Sequence, residues 1–136
     1  MSDDVRWILL YTRRQAEEWA AVNLRRQGFE TVLPMVRSRG QLSPLFPRYL
    51  FAGLPEGDSA RAMQHTFGVQ YTVMCGMEPA RVTAGIIAEI RARMNTHGVV
   101  TLDGAEPADP LFAARQRDRL LVLERLAAAG FRVRAA

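Results

Sequence analysis

The 136-residue chain contains no lysine: all 18 basic side chains are arginine, set against 14 acidic ones for a net charge of +4. A mild excess of this kind is compatible with a nucleic-acid surface, and an all-arginine complement follows equally from a GC-rich coding sequence. Cysteine is limited to Cys75, which excludes an intrachain disulfide and a cysteine-rich zinc site and points to a reducing compartment. No apolar run approaches the roughly 18 residues that span a bilayer, so no membrane partner is expected. The opening residues MSDDVRW are acidic and lack the apolar stretch of a secretion signal. A cytoplasmic, soluble protein is the expectation.

Catalytic constellations are missing as well. His65 and His97 stand away from any Cys, Asp or Glu at metal-ligand spacing, and both read as surface histidines. Cys75 reads as a buried structural thiol. Neither G-x-G-x-x-G nor G-x-x-x-x-G-K-[ST] occurs. The Glu17-Glu18 pair reads as a solvated helix surface. No catalytic residue, no metal and no cofactor is assigned, and an enzyme is not expected.

What is present is a globular composition, 49% hydrophobic and 24% charged, of a length that fits one domain. WILLY (residues 7–11) reads as a buried strand. Thr12 to Gln15 has the form of a capping box, predicting a helix from about Arg13 with Ala16, Ala20 and Leu24 as its core stripe, Trp19 beside them, and Gly28 as C-cap. FETVLPMV (29–36) is β-rich and carries Pro34, the mark of an edge strand. RSRGQLSP (37–44) reads as a basic hairpin turn with Tyr49 to Leu54 as its return strand. Asp58 is placed to cap a short helix ending near His65, and GVQYTVM (68–74) reads as another strand. Thr83 is placed to cap a helix with Ile86, Ile87, Ile90 and Met94 on one side. The order β-α-β-β-α-β-α matches a ferredoxin-like α+β sheet.

Within the return strand both alternate sets are apolar: Tyr49 and Phe51 on one face, Leu50, Ala52 and Leu54 on the other. Both faces therefore need cover. Residues 99–110 are rich in Gly, Pro and Asp and read as a linker. Beyond it, Asp109-Pro110 opens what reads as one amphipathic helix from Leu111 to Ala129, with Gly130 as its stop. Phe112, Leu120, Leu123 and Ala127 share its apolar face, and Arg115, Arg119 and Glu124 lie outside or at the rim.

For binding, Arg13 and Arg14 stand at a helix N-terminus where phosphate is favoured. Arg25 and Arg26 follow along the helix, and Arg37, Arg39 and Arg48 crowd the hairpin. Trp19 reads either as a core residue or as a ring on which a base stacks.

Five stretches, WILLYTRRQ, AAVNLRRQGFETVLP, PLFPRYLF, HTFGV and GMEPARVTAGIIAEI, follow in order between Trp7 and about Gly98. Together they resemble the NusG/RfaH family of transcription elongation factors, and through PLFPRYLF they are more similar to specialised RfaH-like paralogues. The resemblance implies an NGN domain over residues 5–98, a four-stranded antiparallel sheet with flanking helices, followed by a linker and a helical tail over 111–136.

It also implies a non-enzymatic elongation or antitermination factor. Such a factor binds the β′ clamp helices of bacterial RNA polymerase through an apolar patch, here Pro47, Tyr49 and Phe51. Where relatives touch the β gate loop, this chain has Ser59, Ala60 and Arg61. The positions matching a contact with the non-template DNA strand are Arg13, Arg14, Asn23 and Thr66, while Phe67 and Trp19 stand where RfaH-type relatives have basic residues.

The tail is too short for the KOW barrel of the family and lacks its turn glycines. By analogy with the helical tail state of RfaH, it is expected to dock on Tyr49 and Phe51 through Phe112, Leu120 and Leu123, in a monomer. The other readings are a stand-alone single-stranded nucleic-acid-binding module on a ferredoxin-like sheet, and a dimer that exchanges tail helices.

Overall fold

The structure is a computed structural model that describes residues 5–102 and 109–131. Strand β1 (Val5–Thr12) lies in the middle of an antiparallel sheet. One flank carries β5 (Tyr49–Pro55) and then the edge strand β2 (Glu30–Val32). Its other flank is shared by two short strands, β6 (Val69–Thr72) beside Leu10 to Thr12 and β9 (Arg81–Val82) beside Trp7 and Ile8. The sheet thus has the expected α+β, NGN-like layout, with five strands because its fourth position is divided. A register shift between Tyr11 and Thr12 marks a bulge where β6 joins.

Alternation along β1 and β5 sends side chains into two separate cores. Ile8, Leu10, Leu50, Ala52 and Leu54 pack with Ala20, Ala21 and Leu24 of α1 (Glu17–Arg26) and with Met63 of α2 (Arg61–Gln64). Trp7, Leu9, Phe51 and Val82 point the other way, into a cluster with Ile86, Ile87 and Ile90 of α3 (Ala84–Arg93). The same cluster holds Leu111, Phe112, Leu123, Leu126, Ala127 and Phe131. The sheet is sandwiched, as two apolar faces require.

Several local expectations are corrected. Helix α1 begins at Glu17, four residues after Arg13. Thr12 is not its cap: pairing with Val69 draws it into β1, and its buried hydroxyl has no partner. The C-terminus follows the sequence, since Gly28 at φ +95° allows Gly28 N–H to reach the Arg25 carbonyl and Phe29 N–H that of Leu24.

The hairpin closes on itself through β3 (Met35–Ser38) and β4 (Gln41–Pro44), so Tyr49 to Leu54 is not its return strand. Arg39 and Gly40, both at positive φ, form the two-residue turn that matches strand twist. Asp58 does not cap α2; the Ser59 hydroxyl accepts from Arg61 N–H. Thr83 does cap α3, accepting from Ile86 N–H. Cys75 lies half-exposed in β7 (Met74–Cys75), which pairs with β8 (Glu78–Pro79), and is not buried.

The expected linker begins fixed: Val99 bridges Met35, and Val100 bridges Met94 and is buried. Its middle, 103–108, lies outside the described residues, as do the ends of the chain at 1–4 and 132–136. The tail is not one helix. Asp109 caps a single 3-10 turn, Pro110–Phe112, and α4 (Gln116–Ala128) starts afresh after an extended Arg115. Gly130 ends α4 at φ +66° as expected. Among the described residues no helix is long and apolar enough to cross a membrane.

Gly68 gives a test of the packing. At φ +97°, a Cβ there would lie 2.9 Å from the Ala20 Cβ and 3.0 Å from its backbone, whereas Gly57 at φ +89° has open space. Gly68→Ala is expected to lower the unfolding free energy more than Gly57→Ala, by an overpacking cost of about 1–3 kcal/mol. Equal losses in urea denaturation would show that α1 does not press on this turn.

Candidate functional site

The stretch PLFPRYLF, which runs from the end of β4 into β5, is built around Arg48. A non-glycine residue at φ +75° is strained, so the surroundings must hold it. Arg48 N–H donates to Glu17 Oε2 at 2.8 Å, its Nε to the Thr12 carbonyl at 3.1 Å and its Nη2 to Gln70 Oε1 at 2.8 Å. Its guanidinium also lies 4.4 Å from the centroid of the Tyr11 ring. Glu17 is therefore buried and structural, not half of a solvated pair. This turn sets which face each β5 residue takes.

Tyr49 and Phe51 take the α3 side. Pro47 and Tyr49 are half-buried, and Phe51 is fully buried with Phe46 edge-on to it at 6.1 Å. Tyr49 meets Tyr11 edge-on at 5.2 Å, and Tyr11 stacks on the exposed Tyr71 at 4.8 Å. The tail reaches this surface. Phe112 and Leu123 are fully buried in the cluster that holds Phe51, and the half-buried Leu120 packs against it. Tyr49 donates its hydroxyl to Glu124 Oε2 at 3.0 Å.

Arg119, read from sequence as a rim residue, is only 3% exposed. Its Nε donates to the Leu45 carbonyl at 3.1 Å, and its Nη1 to the carbonyls of Ala113 and Ala114 at 2.8 and 3.0 Å. Those bonds explain the break before α4. Two carbonyls that a continuous helix would use internally turn instead toward a buried cation. Among the described residues no carboxylate pairs with Arg119, and burial lowers its pKa from the ordinary arginine value.

The four residues matched to DNA contact fall around α1 and the turn before β6, on the opposite side of the sheet. Arg13 and Arg14 are exposed. Asn23 Nδ2 donates to the Phe67 carbonyl at 3.2 Å. Thr66 is buried, and its hydroxyl is committed twice, donating to the Ala62 carbonyl and accepting from Gln27 Nε2. Thr66 thus shapes the turn rather than presenting a surface group. Trp19 is not a core residue; it stands exposed against Phe67.

Sequence reasoning missed the roles of Arg48, Glu17, Arg119 and Glu124. Only the Arg48 of PLFPRYLF stood in a motif that marked it out.

Burial first, and the bond to Glu124 second, push the Tyr49 phenol up from its ordinary 10.0. A native state that favours the neutral phenol is stabilised fully below pH 10 and loses that contribution as pH rises further. The unfolding free energy is therefore expected to fall above pH 10, and to fall less in Tyr49→Phe. At pH 7 that variant should be less stable by about 1 kcal/mol, the worth of one hydrogen bond. Identical alkaline slopes in the two proteins would remove Tyr49 from this role.

One comparison bears on identity. A family model described as "Transcription termination factor nusG" matches residues 5–91, the segment that contains β1 through most of α3. That is well over half of the chain, and the chain belongs to the NusG family of transcription factors.

Proposed function

We propose that this protein is an elongation or antitermination factor of the RfaH-like kind. It binds bacterial RNA polymerase at the β′ clamp helices through Pro47, Tyr49 and Phe51, and its own tail competes for that patch. The observation that carries the reading is the cover on β5: Tyr49 bonds Glu124, and Phe51 shares a buried cluster with Phe112 and Leu123. A residue pair matched to a partner-binding surface is occupied by the end of the same chain. Polymerase binding is general in the family and supports the partner; the PLFPRYLF stretch supports the subgroup.

Among the described residues, the contacts that hold the tail besides its apolar side chains include Tyr49–Glu124, Arg119–Leu45, a 3.8 Å contact of Cys75 Sγ with the Ala128 carbonyl, and the Arg93 guanidinium 3.9 Å from the centroid of the Phe112 ring. When a covered state dominates, apparent affinity falls by the fraction of molecules that are open, and every 1.4 kcal/mol removed from the cover restores tenfold. Glu124 is exposed, so its truncation leaves no cavity.

Pull-down of core RNA polymerase tests the reading directly. Tyr49→Ala is expected to lose polymerase, while Glu124→Ala, which frees the tail by about 1 kcal/mol, should bind about fivefold more tightly. Phe51→Ala should also lose polymerase, but it opens a core cavity, so circular dichroism has to accompany it. Recovery of polymerase by Tyr49→Ala equal to wild type would overturn the patch; unchanged affinity in Glu124→Ala would overturn the competition.

A further inference from the structure

The end of the tail closes a cavity of about 480 Å³, within the size range of small-molecule sites. Val5 and Trp7 of β1 and Val82 of β9 form one wall, and Gly130 and Phe131 of the tail form another. The β7–β8 hairpin and the first residues of α3 complete it. The two walls differ in attachment. Val5, Trp7 and Val82 belong to the central sheet, whereas Gly130 and Phe131 end the segment that lies over Tyr49 and Phe51.

Phe131 is held under strain at this wall. It is fully buried at φ +61°, a left-handed conformation that an aromatic residue seldom adopts. Its N–H donates to the Leu126 carbonyl at 2.7 Å, and Gly130 N–H donates to that of Ala127 at 2.9 Å. Strain of this kind persists where the surroundings hold it, and it concentrates at sites with a use. Because part of the wall is tail, the cavity exists only while the tail is docked. A molecule that touches both walls therefore binds the covered state better than the open one, and shifts the population toward cover.

The lining narrows the chemistry of that molecule. Trp7 and Phe131 offer aromatic surface, and Val5 and Val82 are aliphatic, which suits a flat apolar ring. Two opposite charges share the lining. Glu78 is exposed and makes no ion pair among the described residues, while Arg81 shares Glu56 with Arg6, at 3.4 and 3.6 Å. A ligand of either net charge would meet its like there. An uncharged ring escapes both repulsions, and an N–H or O–H on its edge finds an acceptor in the Glu78 carboxylate. Directly across the hairpin from Glu78 stands Cys75, the only cysteine of the chain, which also lines the cavity.

We propose that this cavity binds a small uncharged aromatic molecule bearing an N–H or O–H donor, and that filling it pins the tail over β5. Binding depends on the cavity alone. Its effect on polymerase rests on the competition between tail and polymerase proposed above.

Indole, flat and uncharged with a single N–H, is the probe. Reaction of Cys75 with a chromogenic disulfide reagent in the full-length protein reports on the cavity. Indole is expected to slow that reaction in a saturable way. N-methylindole, which keeps the ring and lacks the donor, should bind about fivefold more weakly, the worth of one hydrogen bond, and Glu78→Ala should weaken indole to the same degree. Tryptamine and indoleacetate, charged in opposite senses, should each bind more weakly than indole. Ala84→Phe, at the exposed start of α3, fills the cavity from its rim and should abolish protection while circular dichroism stays native. At ten times its dissociation constant, indole should lower the apparent affinity for core RNA polymerase by about tenfold.

No saturable protection of Cys75, or equal protection in Ala84→Phe, would overturn the site. Tighter binding of tryptamine or indoleacetate than of indole would overturn the ligand class, and equal binding of N-methylindole the donor. Protection that appears only in a chain ending at Phe131 would give the cavity to residues 132–136 and overturn the ligand. Saturable binding with unchanged polymerase recovery would overturn the pinning. Failure of the competition itself is read separately, from Glu124→Ala without indole, so the two failures are distinguishable.

Discussion

The structure depends on the fact that its central strands are apolar on both sides. Leu9 and Leu10 of β1 are adjacent and both fully buried, as are Leu50 and Phe51 of β5, yet each pair divides between two cores. A sheet with one wet face cannot accommodate that composition. Helices α1 and α2 cover one side with small residues, Ala20 and Ala21, that bring α1 close to the strands. The other side is wider, and α3 does not cover it alone. Leu45 and Phe46 from the loop before β5 fold into it, and the tail contributes Phe112, Leu123, Leu126 and Phe131. The tail is therefore part of the second core.

Arg119 makes that cover conditional. A guanidinium at 3% exposure has given up its water, and the three carbonyls that replace it belong to two separate segments. Ala113 and Ala114 are presented by the break before α4, and Leu45 by the loop that delivers Phe46. If the tail lifts, Leu45 loses its donor and Arg119 returns to water. The cation is then better solvated, while the apolar cluster is worse off. Opposed contributions of this kind leave the docked tail held by its apolar surface rather than by its buried charge.

The division of the sheet into two faces was legible because period-two alternation is a local property. Leu50, Ala52 and Leu54 separate from Tyr49 and Phe51 by parity alone. The α3 cap at Thr83 and the Gly28 and Gly130 stops were legible for the same reason, each depending on a few neighbouring residues. What escaped depends on residues far apart. Thr12 has the pattern of a cap, but strand pairing with Val69 overrides it. Glu17 looks solvated until Arg48 arrives from 31 positions away. The Leu111–Ala129 segment has no helix breaker, yet it breaks before α4, where the Ala113 and Ala114 carbonyls turn to Arg119, whose Nε reaches the Leu45 carbonyl 74 positions earlier. A hairpin turn within 37–44 was legible but its tight register was not, because Arg39 occupies a left-handed position that usually signals itself with Asn, Asp or Gly.

Helix α1 links the two sides of the molecule. Its buried edge sends Glu17 beneath the β4–β5 turn, where the carboxylate holds Arg48 N–H and so fixes the residue from which Tyr49 leaves for the tail-covered face. Two residues further along the same helix, Trp19 faces water with Phe67. The sheet between them places the aromatic pair and Tyr49 on opposite surfaces. Arg48 also reaches the Thr12 carbonyl of β1 and Gln70 of β6, so one residue ties α1, the β4–β5 turn and the sheet together. The tail packs on the Phe51 side of the sheet and α1 on the Leu50 side, so lifting the tail would uncover β5 while leaving the contacts of α1 with the strands in place.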